Sequence, residues 1–232
     1  DEIKDYETDL KINPTRPLAR GLISISEVKI AIAILCIFEL GLLTALSPLF
    51  AITHLLAMGY SFAMYLEFFV GKLIRPLLTT YAVLHTLVSV LIGSTISSVV
   101  TGVPFWKFSS HVWLLLLANW AYFNLFEFAR KTFAPLEERD GVESYSKIFS
   151  IRGAVMLSLS QALIPIVLVS QVAGADFTKS DNLILWGLLI LVVAPAFAFS
   201  LRPRIFAAKM FRNMVGLYLI CGYLGLAWIL GS

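Results

Sequence analysis

Apolar runs of about 20 residues recur along this chain with little polar sequence between them. A helix rises 1.5 Å per residue, so about 20 residues cross a hydrocarbon layer of about 30 Å. The runs lie at 26–47, 50–70, 78–102, 109–130, 150–173, 183–201 and 210–231. A helix that is apolar all round has no face to offer water and belongs in lipid or a deep core. Composition agrees. Of 232 residues, 59% are hydrophobic and 14% are charged, with a mean hydropathy of +0.84; soluble domains carry about 25% charged residues. The expected fold class is all-α: a polytopic transmembrane helical bundle with about seven helices present. No linker or low-complexity tract divides it, so 1–232 is read as one transmembrane domain. Pro165 and Pro195 fall inside spans, where neighbouring helices re-satisfy the carbonyls that proline frees.

The net charge of +3 is small, and its placement matters more than its size. No nucleic-acid partner is expected; membrane lipids are. With seven spans, 16 of the 18 Lys and Arg residues fall on one side, leaving only Lys107 and Lys179 on the other. The positive-inside rule makes the crowded side cytoplasmic. Both long polar loops, 10–25 and 131–149, belong to it. Cys36 and Cys221 each sit in an apolar run, which indicates neither a disulfide framework nor a zinc site. His54, His85 and His111 are isolated from one another.

The first residues, "DEIKDYETDLKINPTRPLARGLIS", are of another kind. Asp1, Asp5 and Asp9 are spaced i, i+4, i+8 and form one stripe on a helix. Such a row of carboxylates repels itself unless a cation sits among them. Hard oxygens of this type suit Mg²⁺, which binds through one or two carboxylates and completes its shell with water and phosphate oxygens. The plainer alternative is a solvated helix end offset by Lys4 and Lys11.

This stretch resembles the first aspartate-rich motif of the UbiA superfamily of intramembrane prenyltransferases, N-D-x-x-D-x-x-x-D followed by N-x-x-R-P and a glycine. Asp1 stands where the family usually has Asn, and Glu2 where it has Asp. Asp5 and Asp9 match the two metal-binding aspartates, and Asn13, Arg16, Pro17 and Gly21 match the trailing positions. The family fold has nine transmembrane helices with this motif at the end of the second. The resemblance thus implies that the first helix and most of the second precede Asp1. It covers the whole chain, but only the first 25 residues are specific. The family's second motif, D-x-x-x-D-like, falls on "NLFEFARKTFAPLEERDGVESYS". Glu127 stands for its first acid, and Lys131 occupies the i+4 position. Lys131 cannot ligate Mg²⁺ but brings three donors and a full charge to a diphosphate. Glu137, Glu138 and Asp140 are either further ligands or a solvated loop. Gly141, Val142 and Ser144 resemble the "G-I-x-T" that follows the motif.

The resemblance implies Mg²⁺-dependent transfer of an isoprenyl group from a polyprenyl diphosphate donor to an aromatic or lipid acceptor. Asp5, Asp9 and Glu127 are the implied catalytic residues, and with Asp1 the implied metal ligands. Arg16, Lys72, Arg75 and Lys131 are the implied diphosphate-binding residues. Lys72 and Arg75 are equally readable as positive-inside anchors. Glu67 is placed to pair with Lys72; Glu39, inside a span, is a functional candidate by its location. Asn124, three residues before Glu127, shares its face, and with Asn119 marks a polar lining. Three other readings remain: a CDP-alcohol phosphotransferase, whose long acidic pattern is absent; a transporter with a cytosolic metal-binding loop; and a prenyltransferase-like protein that has lost activity.

Overall fold

A computed structural model describes residues 2–173 and 180–231. Asp1 and Lys179 lie outside the described residues. All regular structure among them is helical. The chain divides into two compact units, Asp1–Ile74 with Ser94–Trp106, and Arg75–Gly93 with Lys107–Ser232.

The first unit opens with a turn over 2–5 and a short helix α1, Tyr6–Ile12. Helix α2, Ile25–Leu46, starts at a capping box: Ser24 Oγ accepts from Glu27 N, and Glu27 Oε2 accepts from Ser24 N at 2.7 Å. Two otherwise orphaned donors are satisfied this way. None of the 22 residues of α2 is buried. It is the least buried of the long apolar helices, with only α3 packed along it among the described residues. One residue, Ser47, separates it from α3, Pro48–Tyr65. Ser47 is extended, and its Oγ accepts from Leu49 N while Pro48 takes the first helical position. Proline suits that position because its missing N–H would be unpaired there anyway. Glu39, eight residues before Ser47, meets His54, seven after it, at 3.0 Å. Contact at nearly equal distances from the turn means that α2 and α3 fold back on each other as a helical hairpin.

After α3 the backbone enters the left-handed region three times running, at Glu67 (φ 53°), Phe68 (52°) and Phe69 (61°). Each such non-glycine residue costs about 1–2 kcal/mol. Glu67 is buried and forms an ion pair with Lys4 at 3.1 Å, so its partner is Lys4 and not the expected Lys72. Its carboxylate lies over Gly71, the first residue of α4, Gly71–Ile74. A Cβ at position 71 would collide with Glu67 Oε2. Gly71→Ala is therefore expected to destabilise the purified protein by about 1–3 kcal/mol in detergent melts. Most of that cost should vanish in a Glu67→Ala background; an equal cost in both backgrounds would refute the steric assignment.

Helix α5, Leu78–Thr86, and α6, Val88–Thr101, continue each other through Leu87, and the unit boundary falls within α6. The second unit also holds α7, Ser110–Arg130; α8, Tyr145–Val172; α9, Ser180–Leu188; α10, Ile190–Leu201; and α11, Ile205–Gly231. Helix α8 bends at Ser150 (φ 61°, ψ 168°), the residue at which the sequence placed the start of a span. Small residues such as Ala118, Ala121, Ala129, Ala154, Ser158 and Ala162 are buried along α7 and α8. Lipid gives helices no hydrophobic drive to associate, so close backbone packing over small side chains supplies it. Tyr122, Phe199, Phe211 and Tyr218 complete the core with α10 and α11. Tyr218 Oη donates to Ala162 O at 2.8 Å, three residues before Pro165.

Six helical stretches are long and apolar enough to cross a membrane among the described residues: 25–46, 78–101, 110–130, 145–172, 183–201 and 205–229. The seventh expected span, 50–70, is α3. It stops at Tyr65, five residues early, and includes Thr53, His54, Tyr60 and Ser61, so it falls short of the other six.

Candidate functional site

In the first unit, the residues of "DYETDLKINPTR" assemble locally. One helical turn separates Asp5 and Asp9, with Asp9 N donating to Asp5 O at 2.8 Å. Asp5 precedes the first residue of α1 and its side chain caps nothing; it has no ion pair among the described residues. Asp9 is buried, and both of its oxygens are engaged. Asn13 Nδ2 donates to Oδ1 at 3.0 Å, and Arg16 Nη1 to Oδ2 at 2.7 Å. Arg16 also reaches Glu2 at 3.1 Å. The chain folds back in this way because α1 ends at Ile12 and Pro14 and Pro17 forbid its continuation. Lys72 is exposed in this unit and makes no ion pair among the described residues.

In the second unit, the last turn of α7 carries Glu127, which pairs with Lys131 at 3.0 Å and with Arg130. The i,i+3 and i,i+4 spacings bring both bases onto the same acid. Lys131 at the i+4 position thus neutralises Glu127. Arg75 is exposed. The polar residues of α7 tie helices together: Asn124 is buried and accepts from Thr86 of α5, and Asn119 accepts from Tyr223 of α11 at 2.7 Å.

Two acids of the loop after α7 are tied down by protein partners, whereas Asp140 is exposed. Glu137 takes a bidentate pair from Arg212 of α11 at 2.6 and 3.1 Å, plus Ala134 N–H at 3.0 Å. Arg212 also donates to Thr132 O and lies over the Phe133 ring. Burial pushes the Glu137 carboxyl up, but Arg212, the Ala134 N–H and Lys209 outweigh it and hold it below the usual glutamate range. Glu138 accepts from Ser144 and Ser146 at 2.7–2.8 Å. The sequence offered no signal for Arg212 as a partner 75 residues from Glu137. The S-x-S pair at 144–146 beyond an acid was a weak one for Glu138.

Among the described residues no three His, Cys, Asp or Glu side chains gather into a preformed metal centre. The donor set of the first unit does fit Mg²⁺, which asks for only one or two carboxylates. Asp5 is open, and Asp9 is countered by an Arg16 side chain that is 42% exposed.

Fold and site together define a multi-pass helical membrane protein with two clusters of acids matched to bases. Compared with protein-family models, curated proteins and solved structures, the chain matches none of them.

Proposed function

We propose that the protein is an intramembrane prenyltransferase of the UbiA type, acting on a polyprenyl diphosphate donor and an aromatic or lipid acceptor. The observation that carries this reading is local: Asp9, Asn13 and Arg16, all positions of the resembled motif, form one hydrogen-bonded cluster beside an open Asp5. An acid neutralised by a base can exchange that base for a metal when an anion draws the base away. On this reading Arg16 turns to the diphosphate, Asp5 and Asp9 hold Mg²⁺, and Glu127 and Lys131 play the corresponding parts. Lys72 and Arg75 add positive charge. Mg²⁺, when bound, supplies neutralisation of the leaving diphosphate. The protein's own groups orient that diphosphate, and the apolar spans keep water from a carbocation-like prenyl chain.

The charge distribution bears on orientation. If α3 crosses as the return arm of its hairpin, 16 of 18 Lys and Arg residues share a side; if it does not, they divide 11 to 7. The positive-inside rule favours the first arrangement, which puts Asp5, Asp9, Glu127 and Lys131 on the cytoplasmic side.

A second reading, a prenyltransferase-like protein without metal-dependent transfer, draws on the double pairing of Glu127. One assay separates them. Membranes containing the protein are incubated with labelled geranylgeranyl diphosphate, Mg²⁺ and a lipid extract, alongside Asp5→Ala and Asp9→Ala. Prenylated product or diphosphate release that depends on both aspartates is the expected result. Turnover indifferent to them, or none at all, sinks the enzyme reading.

A further inference from the structure

Tyr145, the first residue of α8, is fully buried, yet its hydroxyl has no hydrogen-bond partner among the described residues. An unpaired buried hydroxyl is costly, and Phe would fill the same space without that cost. Its surroundings explain where it points. Tyr145 N donates to Lys131 O at 3.1 Å, and its ring meets Phe128 edge-on with centroids 5.0 Å apart. The side chain therefore runs back along the last turn of α7, past Phe128. Leu78 and Ala82 of α5 and Ala154 of α8 close the apolar wall around it. Glu127 and Arg130 both act electrostatically on the hydroxyl.

Glu127 is the most enclosed of the three charged groups. Its side chain is 13% exposed, against 30% for Lys131 and 51% for Arg130. Both bases are more exposed than the acid they pair with. If they leave, an enclosed carboxylate stays behind and needs another donor. Tyr145, packed against this turn, is a buried donor without a partner among the described residues.

We propose that the C-terminal turn of α7 is a phosphate-binding site in which Arg130 and Lys131 pass from Glu127 to the anion and the Tyr145 hydroxyl takes over the Glu127 carboxylate. The inference rests on the diphosphate-binding part of the reading above and deepens it: Tyr145 is a positioning residue that acts through Glu127. Each Glu127 oxygen is held by one base, Oε2 by Arg130 and Oε1 by Lys131, and the Tyr145 hydroxyl has no partner among the described residues. No bond is made or broken, and the exchange is of hydrogen bonds alone.

The test is binding of inorganic pyrophosphate to the purified protein in phosphatidylcholine nanodiscs, with EDTA present so that only the protein's own cations act. Wild type should bind, and Lys131→Met should bind at least about tenfold more weakly. Tyr145→Phe should also bind about tenfold more weakly, because a hydrogen bond to a charged group is lost in the bound state only. Its melting temperature should stay level or rise, since an unpaired hydroxyl has been removed from the free state. A structural role alone would shift melting and leave affinity untouched. A parallel arm adds phosphatidic acid to the nanodiscs. Competition there identifies a lipid headgroup as a source of the anion; its absence leaves the soluble or donor diphosphate. No pyrophosphate binding by wild type overturns the inference, as does unchanged affinity in Tyr145→Phe. If both variants weaken binding and no prenyl transfer is found, the phosphate site stands and the prenyltransferase reading falls.

Discussion

Asp5→Ala is expected to lower prenyl transfer and diphosphate release by about 100-fold or more, with little change in stability. Metal-assisted neutralisation of a leaving group contributes several kcal/mol to the transition state, and each 1.36 kcal/mol is tenfold in rate. Asp5 has no side-chain hydrogen bond in its capping position, so its removal should move the melting midpoint very little; surface changes of this kind stay within about 0.5 kcal/mol. Asp9→Ala should match it in activity but not in stability. Asp9 is buried between Asn13 and Arg16, and its loss leaves two donors without their acceptor, at a cost of about 1–3 kcal/mol. Transfer assays and detergent melts on the two variants, run together, separate a catalytic role from a folding one. Equal melting and undiminished turnover in Asp5→Ala would remove Asp5 from the site.

The second large effect is expected in the loop between α7 and α8. Arg212→Ala should destabilise the second unit by about 3 kcal/mol. The guanidinium and the Glu137 carboxylate are both largely enclosed, at 18% and 15% exposure. Deleting one partner of an enclosed pair leaves an uncompensated charge, the circumstance in which ion pairs matter most. Glu137→Gln should cost less, because the amide oxygen still accepts from Arg212, which also keeps Thr132 O and the Phe133 ring. Hydrogen exchange over 131–149 is the direct measurement: faster exchange in Arg212→Ala, with α2 unchanged, is the expected pattern. Acid has the same target. A carboxyl held below its ordinary range in the folded state stabilises the fold above the unfolded pKa, and that contribution is lost as pH falls through the folded value. The loop should therefore open on acidification below the ordinary glutamate range, and Glu137→Gln should blunt that dependence. Acid opening of equal size in Glu137→Gln would assign it to other carboxylates.

Several features could be read directly from residues because their causes are local. Span lengths follow from apolar run lengths, and Ser24 with Glu27 spells a capping box. Asp5 and Asp9 sit one helical turn apart because i+4 spacing puts them there. Glu127 meets Lys131 for the same reason. What escaped the sequence was decided by contacts between distant segments. Glu67 was placed to pair with nearby Lys72; it pairs with Lys4, because three left-handed residues turn its carboxylate over Gly71. Glu137 and Glu138 read as a solvated loop or as metal ligands; the structure instead encloses them, with Arg212 bound to the first and two serines to the second. Asn119 and Asn124 read as a polar lining and instead lock α7 to α11 and α5.

The sequence by itself determined an all-helical membrane protein, its main spans and the register of its two acidic motifs. Hydropathy, helical rise and i,i+4 geometry act within a segment and need no partner. Only the tertiary structure decided which acids are open and which are spoken for, and that α3 is a shortened hairpin arm. It also decided that Tyr145 is buried against Phe128, its hydroxyl without a partner among the described residues. Charge pairing in a low-dielectric interior depends on distance in space, and residues 75 positions apart reveal none of that until the chain has folded.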